Sequence, residues 1–493
     1  MPHTLFNLVP RTIAFAAVTL GLSACMVGPD YKGPPRFTPI AVETGHFHRA
    51  EAADVVLDPP SARWWLTLND AELTRLIELA FVDSPNLKAA SAKVRNARAM
   101  LREQAAKLPP SGGTSVAALS VKAPSSIGSI LGSGSTVANP IRVDLYSTAL
   151  DASWELDIFG GARRGVENAK ATAEAQQASF DDVKVQLSSD VAQAYIHLRD
   201  IQQRLASDTA SARLEDRALQ LVLERRAAGT ASDADVERLR TQLSQTRADL
   251  VQLQAASDQF LNQLAVLTGR EPGVLDSELA HAAPAPLPPS RVAIGDPAAM
   301  IRRRPDIRRA ERQLAAENAA IGQNIANYFP TVTLLGTVGY SGTRTSGLFD
   351  SRNVTAVGGP SLSWNVLNFP TAQARVNEAK AQHDTALFNY GQTVLGALQD
   401  AEDSLSRFGH QRDSVVQLTM ARNSADHAAA LTRARYAGGT ASLIDVLDTE
   451  RQRLSTEQVL AEASATLTED YVALQKSLGL GWQDATDLEA PRG

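Results

Sequence analysis

The sequence predicts a mixed, mainly α-helical fold in which two structural repeats give four membrane β-strands and long antiparallel coiled-coil helices. Three observations lead to this prediction: an internal duplication, apolar residues at coiled-coil spacing, and polar segments in which apolar residues alternate. With 493 residues, the chain also exceeds the length at which one hydrophobic core keeps growing. Several layers of structure are therefore expected.

An internal repeat covers most of the chain. The segment RRAAGTASDADV from Arg225 matches RYAGGTASLIDV from Arg435, an offset of 210 residues. Upstream, SPNLKAA at Ser84 matches RPDIRRA at Arg304 with an offset of 220 residues. Each copy is predicted to contain a helix, a β-hairpin, a very long helix, a Gly-Thr turn and another helix.

The helices have the apolar spacing of coiled coils. In the long helix of the first copy, the apolar residues stand alternately four and three apart: Leu187, Val191, Ala194, Leu198, Ile201 and Leu205. A second such series begins at Val236, after the Gly-Thr turn. Ser232 and Asp235 form an N-terminal capping pattern at this point. The chain is therefore expected to reverse here into an antiparallel helix pair.

The segments rich in Gly, Ser and Thr have a period of two. The apolar face of TVTLLGTVGY is formed by Val332, Leu334, Val338 and Tyr340, and a similar alternation follows at Leu362, Trp364 and Val366. Two strands of roughly ten residues in each copy match tilted membrane-crossing strands. A soluble β-hairpin in each copy is the alternative. Four strands cannot close in lipid, so several chains would have to share one barrel.

The N-terminus has the layout of a secretory signal. Arg11 precedes an apolar stretch, and the small residues Ser23 and Ala24 stand before Cys25. The sequence LSAC resembles the lipobox of bacterial lipoproteins, which implies that Cys25 carries S-diacylglycerol and N-palmitoyl groups. Several acyl chains, at roughly 0.8 kcal/mol per buried CH₂, form a durable anchor. The alternative is an ordinary signal peptide followed by a chance cysteine.

Seven ordered segments resemble the outer-membrane factor (TolC-like) family, and in particular its NodT-type efflux lipoproteins. They are CMVGPDYKGP from Cys25, WWLTLND from Trp64, SPNLKAA from Ser84, WELDIFGGARR from Trp154, RRPDIRRAE from Arg303, IGQNIANYFP from Ile321 and GTASLIDVLD from Gly439. The resemblance implies a homotrimer that forms an α/β-barrel tunnel, lipid-anchored in the bacterial outer membrane and extending into the periplasm. It also implies two partners, a periplasmic adaptor (membrane fusion) protein and an inner-membrane transporter of the RND type.

The repeat and the resemblance together predict six segments. They are a lipoprotein signal peptide (1–24), a lipidated N-terminal segment with an equatorial part (25–84), the first repeat (85–281), a Pro-rich equatorial linker (282–297), the second repeat (298–480) and a C-terminal tail (481–493).

The resemblance places adaptor contacts at the two Gly-Thr turns, which here are Gly229, Thr230, Gly439 and Thr440. Glycine would supply the backbone freedom that such turns need. The alternative is that both segments are only tight turns.

The resemblance also implies a periplasmic gate and an acidic selectivity ring, at Asp235, Tyr436, Asp445 and Asp448. Carboxylates repeated around a threefold axis would favour cations, whereas the alternative is that they are surface carboxylates. TolC-like members have a gate arginine where this chain has Ala441. The lock must therefore be made differently or be weaker, and Arg225 or Arg435 is the hypothetical substitute.

The composition argues against several other functions. The 48 basic and 54 acidic residues leave a net charge of -6 without a long basic run, which disfavours nucleic acid as a partner. The short run from Arg302 to Arg304 is interpreted as helix entry and inter-helix pairing. No phosphate-binding loop, HExxH motif or nucleophile elbow is present in the sequence. We therefore predict no enzyme, no catalytic or metal-binding residues, and no cofactor besides the lipid.

These observations predict a passive conduit for small molecules that serves a tripartite pump. Metal ions or a secreted protein are the alternative cargo. A lipoprotein that tethers the envelope without forming a pore is the alternative from a different class.

Overall fold

A computed structural model describes residues 26–34, 39–50, 55–123 and 141–483. The predicted signal peptide, Cys25 and most of the C-terminal tail lie outside these residues. The described residues form two compact units, the first with residues 26–34, 95–123, 141–174 and 312–388 and the second with residues 39–50, 55–94, 175–311 and 389–483. The predicted mainly helical fold, with two repeats and four long strands, is confirmed.

The elements follow the same order in both copies. Up to the end of the first copy they are α1 (Ile40–Thr44), β1 (Val55–Val56), α2 (Ala71–Asp83), α3 (Pro85–Ala105), β2 (Ser111–Ala123), β3 (Ile141–Leu156), α4 (Gly161–Ala227) and α5 (Asp233–Leu267). The remainder contains β4 (Val292–Ala293), α6 (Pro297–Arg303), α7 (Pro305–Ala326), β5 (Thr331–Gly342), β6 (Val354–Ser363), α8 (Phe369–Ala437) and α9 (Leu443–Ser477). In the described ranges, no helix has the length and apolarity needed to cross a membrane.

The structure corrects the strand predicted around Trp364. The alternation predicts extended chain as far as Val366, but β6 ends at Ser363 and Val366–Asn368 is a 3-10 helix. The backbone here adopts the 3-10 conformation that leads into α8 at Phe369, so the alternation no longer corresponds to a strand. The Trp364 indole donates to the carbonyl of Tyr328, in the turn before β5, at 3.1 Å.

The first unit contains a four-stranded antiparallel sheet in the order β2-β3-β5-β6. Strands β3 and β5 join the two copies. Leu150 pairs with Val338 and Trp154 with Leu334 on an apolar face, and Asp151 pairs with Thr337 on the opposite, polar face. Asp151 also accepts hydrogen bonds from Thr337 (2.9 Å) and from Ser115 of β2 (2.7 Å). The sheet therefore has one face suited to lipid and one suited to water.

The second unit contains the main hydrophobic core. Trp64, Tyr195, Phe408 and Tyr471 are almost fully buried, and Trp64 packs edge to face on Trp65 and Tyr471. Four of the coiled-coil residues predicted in α4 belong to this core: Leu187, Val191, Ala194 and Leu198. The helices are therefore joined by the apolar series that the sequence indicates.

Arg304 connects three elements in the second unit. Its guanidinium binds the Asp306 carboxylate at 2.7 Å, the Asp400 carboxylate at 3.1 Å and the carbonyl of Ser477 at 2.7 Å. Gly479 packs on it so closely that an added Cβ would stand 2.7 Å from Cγ of Arg304. The arginine run is therefore an inter-helix connection, as the sequence predicts.

Candidate functional site at the helix turns

The two Gly-Thr turns have the same backbone geometry. Gly229 and Gly439 have φ angles of 73° and 74°, in the left-handed region that favours glycine. The amide of Thr230 donates to the carbonyl of Arg225, and the amide of Thr440 donates to that of Arg435, each at 2.8 Å. The long helices α4 and α8 therefore end in the same left-handed glycine cap.

The carboxylates after each turn cap the following helix. Asp235 accepts hydrogen bonds from the amide and the hydroxyl of Ser232, and Asp445 accepts the same pair from Ser442. The serine hydroxyls in turn accept from the aspartate amides, which completes two capping boxes. The side-chain and backbone hydrogen bonds from Ser232 lower the pKa of Asp235, and the backbone and side-chain hydrogen bonds from Ser442 lower that of Asp445.

Unlike these two aspartates, Asp448 takes no part in a helix cap. It is exposed and has no hydrogen-bond or ion-pair partner among the described residues. The residue at the same position in the first copy is Arg238, so the two copies carry opposite charges at this position. Of the three predicted carboxylates, Asp448 is thus the one whose oxygens are available to water, ions or a partner.

The sequence analysis missed two differences between the turns. Arg226 forms an ion pair with Asp233 across the first turn. At the corresponding positions the second turn has Tyr436, which is 46% exposed, and Leu443. Aligning the two copies residue by residue reveals this difference, because Arg226 and Tyr436 are 210 positions apart. The second turn therefore presents an aromatic ring where the first has a closed ion pair.

An open groove with a volume of about 430 Å³ lies between the first turn and the start of α9. Its charged lining consists of Arg225, Asp235, Arg238, Asp448 and Arg451, and its apolar lining includes Val222, Leu239, Ile444 and Leu447. The structure therefore brings two of the predicted acidic residues, Asp235 and Asp448, together with three arginines.

The two arginines proposed as substitutes for the missing gate arginine are placed differently. Arg435 donates to the carbonyl of Thr440 in its own turn at 3.3 Å. Arg225 lines the groove that also contains Asp235 and Asp448. Of the two, Arg225 is therefore the better placed to approach Asp448, which follows the second turn and lines the same groove.

A charged network joins α8 to α9 beyond the second turn, and the sequence analysis missed it as well. Glu450 contacts Arg433 at 3.0 Å and Arg453 at 2.9 Å, and Arg453 also binds Glu457 at 3.0 Å and Asp426 at 3.8 Å. Hydrogen bonding and charge from Glu450, followed by Glu457 and Asp426, raise the pKa of Arg453. Opposite charges three and four residues apart in ERQRLSTE, from Glu450 to Glu457, are the signal in the sequence.

The comparison with known families agrees with this architecture. The model of the family described as outer membrane efflux protein matches residues 76–270 and 297–480, which are the two copies of the repeat. The chain belongs to the outer membrane efflux protein family, and it is an outer-membrane protein that extends into the periplasm.

Three known proteins show how far the similarity extends. Nodulation protein T of Rhizobium leguminosarum bv. viciae is 29% identical over 97% of this chain and 95% of its own length. The solvent efflux pump outer membrane protein SrpC of Pseudomonas putida is 28% identical over 95% of this chain and 97% of its own. The solved outer-membrane channel OprN superposes with a TM-score of 0.83 at 32% identity, over 93% of this chain and all of that one.

Proposed function

We propose that the chain is the passive outer-membrane duct of a tripartite efflux system, with no catalytic activity of its own. The observation that carries this proposal is the four-stranded sheet, which has one apolar face and one polar face. Its strands β3 and β6 lead into the long helices α4 and α8, of 67 and 69 residues. Strands β2 and β6 each have one edge without a strand partner in the described part of the chain. Such edges are not tolerated in lipid, which supports assembly of several copies, and we propose a homotrimer.

Planar-bilayer recording of the purified, full-length protein tests the duct. We expect discrete conductance steps from a species whose mass is that of three chains. Stable insertion without conductance at any voltage would favour the alternative of a structural envelope lipoprotein. A matched pair of variants, Asp448→Asn and Asp413→Asn, tests the acidic ring. The first should shift the reversal potential in a salt gradient toward lower cation preference, and the second, elsewhere in α8, should not.

The partners we propose are a periplasmic adaptor that contacts the two turns and an inner-membrane transporter. The relative SrpC is the outer membrane protein of a solvent efflux pump, which supports small molecules as cargo. Gly229, Thr230, Gly439 and Thr440 are exposed, so a partner can reach them. Photo-crosslinkers at Thr230 and Thr440, with a crosslinker at exposed Val251 as control, should capture one periplasmic protein from the turns alone.

Cargo is tested in the bacterium that makes the protein. We expect deletion of this gene to increase sensitivity to solvents and drugs, and a plasmid copy to restore resistance. Sensitivity to metal salts alone would instead support a duct for metal ions, and loss of a secreted protein would support a secretion duct.

The lipid anchor is a further part of this proposal. Cys25 lies outside the described residues, but Met26 and the residues after it are described. Intact-mass analysis of the mature protein should find Cys25 as the first residue with diacylglycerol and palmitoyl groups. A mature chain that begins elsewhere would contradict the anchor.

A further inference from the structure

Residues 26–31, directly after Cys25, are held firmly within the first unit. The amide of Val27 donates to the carbonyl of Phe159 at 3.0 Å, at the junction between β3 and α4. Asn318 of α7 donates to the carbonyl of Pro29 at 2.9 Å. Most of these residues are exposed. The two hydrogen bonds nevertheless attach the segment both to the β3–α4 junction and to α7.

Arg164 lies at the centre of this attachment. Its side chain is only 1% exposed, although it belongs to the first turn of α4. Nε donates to the carbonyl of Val27 at 3.1 Å, and Nη2 donates to the carbonyl of Gly28 at 3.1 Å and to the carboxylate of Asp30 at 2.7 Å. Nη1 donates to Glu167 at 2.7 Å. A buried guanidinium requires such partners, and only the planar fork of arginine can reach all of them.

Glycines allow the backbones to approach this closely. Gly28 has a φ angle of 91°, and an added Cβ would stand 2.4 Å from Cα of Gly322 in α7. A Cβ added to Gly322 would stand 2.8 Å from Nε of Arg164 and 2.9 Å from the carbonyl oxygen of Val27. The segment MVGPD therefore fits a socket that is formed by Arg164 and Gly322.

The socket lies at one end of the sheet, and aromatic side chains are concentrated at that same end. Phe159, which accepts the amide of Val27, stacks on Phe329 with ring centroids 4.4 Å apart. Trp154 and Trp364 lie at the nearby strand ends, are partly exposed, and donate their indole N–H groups to backbone carbonyls. Aromatic side chains at the ends of membrane strands mark the boundary between lipid and water.

We infer that Arg164 is a positioning residue for the lipid anchor. By holding the backbone of residues 27–30, it fixes the point at which acyl chains on Cys25 enter the membrane, at the level of these aromatic side chains. Met26, the first described residue, is the direct neighbour of Cys25 in the sequence, so the socket and the proposed anchor are adjacent along the chain. This inference rests on the proposed lipidation of Cys25.

A spin label at Lys32 tests the inference in the full-length lipidated protein. The thioether of the lipid consumes the thiol of Cys25, so Lys32→Cys provides the single reactive thiol of the chain. Label mobility and its accessibility to oxygen and to a water-soluble nickel complex would be measured in phospholipid vesicles. The test variant is Arg164→Gln. The matched control is Arg163→Gln, because the hydrogen bonds and the ion pair of the Arg163 side chain go to Asp157 and not to residues 26–31.

We expect Arg164→Gln to increase label mobility and to change its depth, and to accelerate exchange of the Val27 amide on the order of tenfold. Arg163→Gln should leave all three unchanged, and conductance should be the same in both variants. Gly322→Ala, which keeps the charge but crowds the socket, should reproduce the effect if Arg164→Gln is made in low yield. A lipidated Arg164→Gln protein with unchanged label depth would overturn the inference.

Mass analysis of the same samples separates this inference from the proposed anchor. If Cys25 carries no lipid, the anchor is wrong, whatever the label reports. If Cys25 is lipidated, the label result decides the role of Arg164 alone.

Discussion

The two helical hairpins of the chain have nearly the same turns but differ in the balance of apolar and charged contacts between their helices. Close to the first turn, α4 and α5 are joined by an apolar cluster of Leu219, Val222, Val236 and Leu243. Close to the second, α8 and α9 are joined by the charged network around Arg453, which replaces Leu243 at the equivalent position. Duplication thus preserved the backbone while the packing between the helices diverged.

The difference predicts different responses to the surroundings. Apolar contacts between helices are insensitive to salt at moderate concentrations. Salt weakens the attraction between exposed charges, because the Debye length falls from roughly 8 Å at physiological ionic strength to roughly 3 Å at 1 M. The second hairpin also carries Asp448, the carboxylate without a partner in the described structure. The first hairpin also has ion pairs, Arg226–Asp233 and Arg247–Asp216, but among the described residues its apolar cluster contains no equivalent of the network around Arg453. We therefore expect the stability of the second hairpin to depend more strongly on salt.

The largest expected effect is that of Leu243→Ala in the first hairpin. Leu243 is 4% exposed, and the loss of a buried leucine costs about 2–4 kcal/mol because a cavity remains. Hydrogen exchange of the amides in α5 near the turn should accelerate accordingly. Val251→Ala, at a residue that is 66% exposed, is the control and should cost less than about 0.5 kcal/mol. Equal effects of both changes would show that the apolar cluster does not hold this hairpin.

Next in size are the glycine substitutions Gly229→Ala and Gly439→Ala. Each should destabilise its turn by about 1–2 kcal/mol, because alanine is strained at these φ angles. An added Cβ would meet no atom within 4 Å at either position, so the two costs should be equal. Hydrogen exchange at the adjoining helix ends measures both, and a clear inequality would contradict the equivalence of the turns.

Arg453→Met should have a smaller effect that depends on salt. The side chain of Arg453 is 26% exposed, and such pairs contribute about 1 kcal/mol or less. Exchange near the second turn should be faster in the variant than in the unmodified protein at low salt, and the difference should shrink in 1 M NaCl. The matched change Arg240→Met in the first hairpin affects only a pair with Glu237 on the same helix. If both variants respond alike to salt, the contrast between the hairpins is wrong.

The smallest effect concerns the helix caps at low pH. The folded-state pKa values of Asp235 and Asp445 are below the usual value of about 3.9, so each cap stabilises its helix fully above that value. This contribution is lost as the pH falls through the lowered pKa. Pepsin cleavage near both turns, normalised to the denatured chain, should rise as the pH is lowered below 4. A variant with both Asp235→Asn and Asp445→Asn should lack this additional rise.

The sequence predicted most of the helices, because their signals are local and repeated. Spacings of three and four residues identified the seam through Val191 and Leu198, both of which are completely buried. The turn at Gly229 and the cap formed by Ser232 and Asp235 involve residues within a few positions of one another. Such features depend on residues that are close together along the chain, so they can be predicted from the sequence.

The strand predicted through Val366 shows where this reasoning fails. Alternation continues past Ser363, but β6 ends there and the backbone turns into α8 at Phe369. The ring of Trp364 then bonds to Tyr328, 36 residues earlier in the chain. The socket at Arg164 was also missed, because its partners Val27, Gly28 and Asp30 precede it by more than 130 residues. No local pattern marks either contact.

By itself, the sequence determined the duplication, the long helices, the four strands and the placement of the turns, because each depends on propensities and periodicities of adjacent residues. The caps formed by Asp235 and Asp445 belong to this local part, since their serine partners are three residues away. Only the tertiary structure decided that Asp448 and Asp235 line one groove with Arg225 and Arg238 of the first copy. Asp235 and Asp448 are more than 200 residues apart in the chain, so their proximity depends on how the helices of the two copies pack.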